Sequence, residues 1–330
     1  MTLCCHEEIA ESAASTVASA MGHAGEFLQG VIEEDHEQHA VLISIPVPEL
    51  GSRACFQFAA GAGLAVHPHW KRKSLRAFEL AWKSLSSSPP AGHLRMASDL
   101  PVSRGMGSST ADCVAAIRVA ARAHGRTLSP AQVAWLAHQA EQNSDATMYG
   151  AQLVLFRHCE GKVHRELPGS GPRFDRVLVE LAAGVRPVET DCLSRPAYTP
   201  AEIAEFNNLV ARFSCAAQGS DLAGIGAVAE RSADINQRYH PISRLLEVRA
   251  IARGLGAFGT AIAHSGDLQI MLFPQGALSE DRQSDLRQEL ARNGMKVWRI
   301  LTDRGDGREA CCEGSEADQV AQQPAGAIEA

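Results

Sequence analysis

The densest chemistry in the sequence lies in Pro101-Val102-Ser103-Arg104-Gly105-Met106-Gly107-Ser108-Ser109-Thr110-Ala111-Asp112. Two glycines, two positions apart, let a backbone turn sharply and approach a ligand closely. An alanine-rich run follows that reads as a helix over about 109–124, closed by Gly125. Such a helix start turns unpaired N–H groups and the positive end of its dipole outward, which makes an anion site. Ser108, Ser109 and Thr110 add hydroxyl oxygens for a phosphate, and Ser108 is a candidate contact for a phosphate-bound Mg²⁺. Arg104 stands ready to neutralise phosphate charge. No GxxxxGK[ST] element exists, so the chain is not a P-loop nucleotide hydrolase. A plain glycine turn with serine caps fits the same residues, and the loop alone does not separate the two.

Other groups suit the same chemistry. Phosphoryl transfer to an alcohol is mostly positioning and charge neutralisation. Glu141 and Asp145 would share a helix face at i, i+4 if the helix opened by Ser129-Pro130 ran on that far. The competing reading makes Glu141 a solvated charge and Asp145 a turn residue. In Gly22-His23-Ala24-Gly25-Glu26-Phe27-Leu28-Gln29-Gly30, Glu26 suits an ammonium group, while Gln29 and His23 could hydrogen-bond an acceptor. Asp112 falls in the first turn of the loop helix, where a carboxylate complements the dipole without touching a ligand. The pairs His36/His39 and His67/His69 lack an evident third ligand, so no metal is expected there.

Three segments together resemble the GHMP kinase superfamily. Pro101 to Ala111 resembles its P-x-x-x-G-L-G-S-S-A-A nucleotide loop, with Met106 for Leu and Thr110 for Ala. Ser19 to Gly30 resembles the N-terminal motif on the substrate side. Gly256-Ala257-Phe258-Gly259-Thr260-Ala261-Ile262-Ala263-His264-Ser265-Gly266 resembles the C-terminal glycine motif. The branch most similar is the L-threonine kinase type, associated with cobalamin synthesis and propanediol utilisation, through Gly25–Gly30, Gly105–Asp112 and Ala263–Gly266.

The resemblance implies an α+β fold of two domains, the first like domain 2 of ribosomal protein S5 and the second ferredoxin-like. It implies ATP and Mg²⁺ as cofactors. The nucleotide would sit on Pro101 and Ser103 to Thr110, with Asp145 as base or acceptor orienter and Glu141 at Mg²⁺. His23, Glu26, Gln29, His264, Ser265 and Gly266 would line the acceptor. The function it implies is transfer of the γ-phosphoryl group to a small hydroxylated molecule, L-threonine or a related hydroxy amino acid. A catalytically silent ligand-binding or regulatory relative is the alternative. A diphosphomevalonate decarboxylase fits poorly, because the first motif offers Glu26 where a diphosphate needs basic groups.

The elements that must position these groups can be read from periodicity. Strands are expected at 16–20, 41–47, 53–59 and 93–98, with Gly22–Gly30 a glycine-punctuated turn. Helices are expected at 74–86, 109–124 and 130–143, and a hairpin at 151–157 and 162–166. Gly169-Ser170-Gly171-Pro172 divides an N-terminal domain (1–170) from a C-terminal one (171–312). The latter reads as a strand at 177–181, helices near 200–217, 219–234 and 241–254, strands at 258–264 and 268–273, a helix at 278–292 and a strand at 296–301. Residues 313–330 read as a disordered tail.

Composition sets the outer limits. The 330 residues are 45% hydrophobic and 21% charged, which suits a globular enzyme. The net charge of −7 argues against a nucleic-acid partner. No run approaches the ~18 apolar residues of a membrane span, and the first fifteen residues lack a signal peptide's basic and apolar regions. The nine cysteines, including the adjacent pairs Cys4-Cys5 and Cys311-Cys312, show no CxxC spacing and read as thiols. A cytoplasmic location is therefore expected, with homodimerisation left open.

Overall fold

Two long antiparallel strands, β1 (Ser15–Glu34) and β2 (Glu37–Phe58), form the spine of the molecule in a computed structural model that describes residues 15–102, 104–168, 172–181, 196–263 and 267–303. The segment Gly22–Gly30 is therefore strand, not turn. The turn falls instead at Asp35 and His36, both at positive φ, between the acidic residues. The glycines accommodate irregular pairing: register shifts interrupt the ladder between Met21 and Gly22, His23 and Glu26, and Glu26 and Leu28. Gly25, at φ +66°, has room for no side chain, since a Cβ there would lie 2.5 Å from the Ile262 carbonyl oxygen. The expected strands at 41–47 and 53–59 are parts of one strand, β2.

The remaining elements follow in the order β3 (Leu64–His67), α1 (Arg72–Leu85), β4 (Gly92–Ser98), α2 (Ser108–Ala123), α3 (Pro130–Glu141), β5 (Val154–Arg157) and β6 (Lys162–Glu166). Then come β7 (Phe174–Leu181), α4 (Pro200–Gln218), α5 (Leu222–Asn236), α6 (Leu245–Gly254), β8 (Gly259–Ile262), β9 (Gln269–Pro274), α7 (Glu280–Arg292) and β10 (Met295–Leu301). The short edge strand β3 is not evident in the sequence pattern, nor is a single 3₁₀ turn at Thr147–Tyr149. Among the described residues all ten strands belong to one sheet, ordered β10-β7-β9-β8-β1-β2-β4-β3, with the β5–β6 hairpin attached to β2. Its N-terminal and C-terminal halves join where Glu26 of β1 pairs with Ile262 of β8.

Alternation along the C-terminal strands serves two cores, because successive side chains leave a strand on opposite faces. Leu178, Ile270 and Leu272 enter the main core, which α1 to α5 share with β1 and β2. Val177, Val179, Met271 and Phe273 enter a second core under α6 and α7. Local signals fix most helix starts. Ser129 and Thr199 make capping boxes with Gln132 and Glu202, and Asp221 and Ser279 cap α5 and α7. Helix α2 starts on Gly107 with no side-chain cap, which leaves its first N–H groups for something else. Neither loop serine serves as the cap.

Candidate active site

The glycine loop delivers α2 against the end of α3. Glu141, the last residue of α3, is buried and accepts hydrogen bonds from the hydroxyls of Ser109 at 2.7 Å and Thr110 at 2.6 Å. The helix then stops, because Gln142 takes φ +67°. Asp145 thus reaches the site through a turn rather than along a continued helical face. Its backbone N–H donates to the Thr110 hydroxyl oxygen at 3.2 Å, so Thr110 links both carboxylate residues to the first turn of α2. Arg118, on the same helix, donates to the carbonyls of Ser19 at 2.8 Å and Met148 at 3.2 Å, holding β1 and the turn after Asp145 together. Arg118 and Arg122 are the two arginines of this otherwise alanine-rich helix, and Arg122 likewise donates to the Val17 carbonyl of β1 at 2.9 Å.

Burial pushes the Glu141 carboxyl up to about 8, against the two hydroxyl donors, and the nearby Asp145 charge adds to the rise. Asp145 goes the other way. Burial would raise it, but the charge of His23 holds it below the usual carboxylate range. His23 Nε2 lies 2.8 Å from Asp145 Oδ2, and Nδ1 lies 3.6 Å from Glu26 Oε1. Burial favours neutral imidazole, yet Asp145 and then Glu26 outweigh it and raise His23 to about 9. His23, Glu26 and Asp145 have the ligand types and spacing of a cation site, and the imidazolium itself takes the place of that cation.

The nucleotide-type loop sits directly on this group. The His23 N–H donates to the Met106 carbonyl at 3.3 Å. Gly107 has φ +63°, and a Cβ there would lie 2.4 Å from His23 Cδ2 and 2.9 Å from Asp145 Oδ2. Gly107→Ala is therefore expected to cost about 1–2 kcal/mol from the left-handed backbone alone, and more because the ring must move. Urea unfolding measures this, and an unchanged midpoint would refute the packing described.

This loop, a mixed sheet and the family's order of motifs coincide with what comparison finds. Residues 72–153 match the family described as the N-terminal domain of GHMP kinases. The homoserine kinase of Bacillus velezensis is 29% identical over 216 residues, covering 62% of this chain and 65% of that enzyme. The match thus spans just under two thirds of that relative. The homoserine kinase of Lactiplantibacillus plantarum is 29% identical, with 61% and 70% covered. Among solved structures, a homoserine kinase from Cytophaga hutchinsonii superposes with a TM-score of 0.62 at 16% identity, covering 89% of this chain and 96% of that one. The mevalonate kinase of Methanococcus jannaschii gives 0.59 at 14% identity, covering 88% and 97%. Over residues 72–153 the chain thus resembles the N-terminal domain of GHMP kinases. Its two-domain α+β fold is that of homoserine and mevalonate kinases.

Within this fold, the residues singled out from sequence fall in different places. Gly107, Ser109, Thr110, Glu141, Asp145, His23 and Glu26 converge. Glu26 is 3% exposed and faces His23, so its carboxylate is already engaged by a cation. Pro101, Gly105, Met106 and Ser108 form the approach to α2 and its first residue, with Met106 buried. Arg104 points to the C-terminal half, pairing with Glu180 at 2.5 Å and Asp267 at 3.4 Å. Gln29 lies further along β1, where its N–H donates to Ser232 Oγ and its carbonyl accepts from Asn236. Ser103, His264, Ser265 and Gly266 lie outside the described residues, as do the vicinal cysteine pairs and the tail.

Proposed function

We propose that the chain is an ATP-dependent kinase that transfers the γ-phosphoryl group to a hydroxyl of a small acceptor, of the L-threonine or related hydroxy amino acid class. The observation that carries the reading is the uncapped N-terminus of α2 starting on Gly107, in contact distance of an ionised carboxylate at Asp145. Free N–H groups and a helix dipole suit the ATP phosphates. A carboxylate beside them suits the acceptor hydroxyl. Relatives named homoserine kinases support a hydroxy amino acid as acceptor, and the three motifs support the L-threonine kinase branch and, with it, a place in cobalamin synthesis.

Transfer forms a bond from the acceptor oxygen to the γ-phosphorus and breaks the bond to the β–γ bridging oxygen, releasing ADP. The hydroxyl proton passes to Asp145 or leaves on the transferred group. Hard oxygen donors beside a phosphate loop fit Mg²⁺. Glu141 and Ser108 would hold it, and the raised Glu141 carboxyl is the kind that a neighbouring cation would ionise. When bound, Mg²⁺ supplies neutralisation of the β- and γ-phosphate charge. Arg104, through Glu180 and Asp267, clamps the loop's start to the C-terminal half. Division near residue 170 into a nucleotide-binding half and a second half, and a cytoplasmic location, belong to the same proposal.

A coupled ADP-release assay across amino acids, sugars and polyols tests the reading. Turnover well above the acceptor-free rate is expected with a small hydroxy amino acid. ATP hydrolysis that no acceptor stimulates would overturn it in favour of a silent ligand-binding relative.

A further inference from the structure

We propose that His23 is a positioning residue: gripped between Asp145 and Glu26 and packed against Gly107, it fixes the Asp145 carboxylate for the acceptor and ties that orientation to the seating of the glycine loop. The acceptor's part in this rests on the kinase reading above, while the held ring rests on geometry alone.

The strand irregularity of β1 makes the arrangement. In a regular strand, residues three apart point to opposite faces. His23 and Glu26 nevertheless meet, because the register slips between them and Gly25 turns to φ +66°. The slip reverses the parity and brings both side chains to one side. Gly25 can do this where the chain passes closest to Ile262, so the first glycine motif is shaped by β8 as well.

Asp145 Oδ2 faces His23 at 2.8 Å and Thr110 Oγ1 at 3.3 Å. That leaves Oδ1 for an acceptor. Asp145 keeps 24% of its side chain exposed while His23 keeps 2%, so solvent and ligand reach the carboxylate but not the ring. The groups facing this ring and its carboxylate are Glu26 from β1, Thr110 from α2, Glu141 at the end of α3 and His158 in the turn after β5. A fully buried imidazole between two carboxylates has no evident use in packing, where an apolar ring would cost less desolvation. Its use is to keep Asp145 ionised and aimed. The main-chain bond from His23 to Met106, and the lack of any side chain on Gly107, place the loop against the same ring. A shift of the loop must therefore move His23, and with it Asp145.

Steady-state kinetics and proton titration of the full chain test this. His23→Gln, which keeps bulk and polarity but not charge, is expected to lower kcat by about 10²-fold, the penalty of a displaced catalytic group. KM for ATP should stay within about twofold of wild type, since displacing the acceptor's carboxylate leaves the phosphate contacts in place. The acid limb of the kcat profile should move to higher pH, since Asp145 loses the charge that holds it down. A packing role alone would lower stability without moving that limb. A second measurement needs neither turnover nor a His23 variant: by NMR, the His23 ring should titrate well above pH 6.5 in wild type and at least one pH unit lower in Asp145→Asn. Equal titration in both proteins would overturn the proposal, as would an unmoved acid limb in folded His23→Gln. Absence of acceptor-dependent turnover in wild type would sink the kinase reading instead, and the titration would still decide whether His23 and Asp145 are coupled.

Discussion

Asp145→Asn is expected to abolish most phosphoryl transfer, by about 10²–10⁴-fold in kcat, while ATP still binds. Asparagine keeps the size of the side chain and the N–H that meets Thr110, so the first turn of α2 and its N–H groups stay in place. What goes is the negative charge proposed to face the acceptor hydroxyl, together with the counter-ion of His23. The variant should therefore separate binding from chemistry. ATP protection against thermal unfolding should persist, and acceptor-dependent ADP release should not. Retention of more than a tenth of wild-type kcat would remove Asp145 from the chemistry. The same variant carries a stability signature. His23 is raised to about 9, so its contribution is complete below its ordinary value of 6.5 and is lost as pH rises through 9. Asp145 is lowered, so its contribution is present above the ordinary carboxylate range and is lost as pH falls. Wild type should exceed Asp145→Asn in melting temperature most between those limits, with the gap closing at either end.

The parts of this site that a linear reading can reach are those whose cause is local. Gly105 to Thr110 announces itself, because glycine conformation, hydroxyls and a following helix are all properties of neighbouring residues. Ser129-Pro130 and Thr199-Pro200 start helices for the same reason. Glu141 and Asp145 do come together, though by a different route from the helical face their spacing suggests. Gln142 ends α3, and Thr110, more than thirty residues away, gathers both. The Gly22–Gly30 segment reads as a turn because glycines usually mark one. It stays in the sheet because β2 pairs with it along its length and β8 meets it at Glu26, and pairing over that distance leaves no local trace. The meeting of His23 with Glu26 depends on that same bulged pairing. The destination of Arg104 is equally non-local: Glu180 reaches it from β7 and Asp267 from the bend before β9, both in the other half of the chain.

Asp112 shows the largest gap between local reading and three-dimensional cause, and its partner should be the costliest to remove. A carboxylate near the start of α2 looks like a dipole complement, yet Asp112 lies a turn into the helix, is 4% exposed and faces inward. It accepts from Ser52 Oγ at 2.6 Å and pairs with the buried ammonium of Lys71, the residue from which α1 starts. Burial is strong enough to raise the Asp112 carboxyl above its usual range even beside that ammonium. Breaking such a pair on one side strands the other charge, which costs about 3–5 kcal/mol. Lys71→Ala should therefore lose about that much in urea unfolding at neutral pH. The loss should shrink in acid, where Asp112 takes a proton and no longer needs a counter-ion. The double variant Lys71→Met with Asp112→Leu should recover most of the loss, because apolar replacement removes both desolvation costs at once. A Lys71→Ala protein within about 1 kcal/mol of wild type would show that the pair is solvated, contrary to its burial. Asp112 lies one turn below Ser108 and Ser109. If the pair anchors that turn, the double variant should regain stability yet still bind ATP more weakly than wild type, since leucine and methionine pack without fixing the axis of α2.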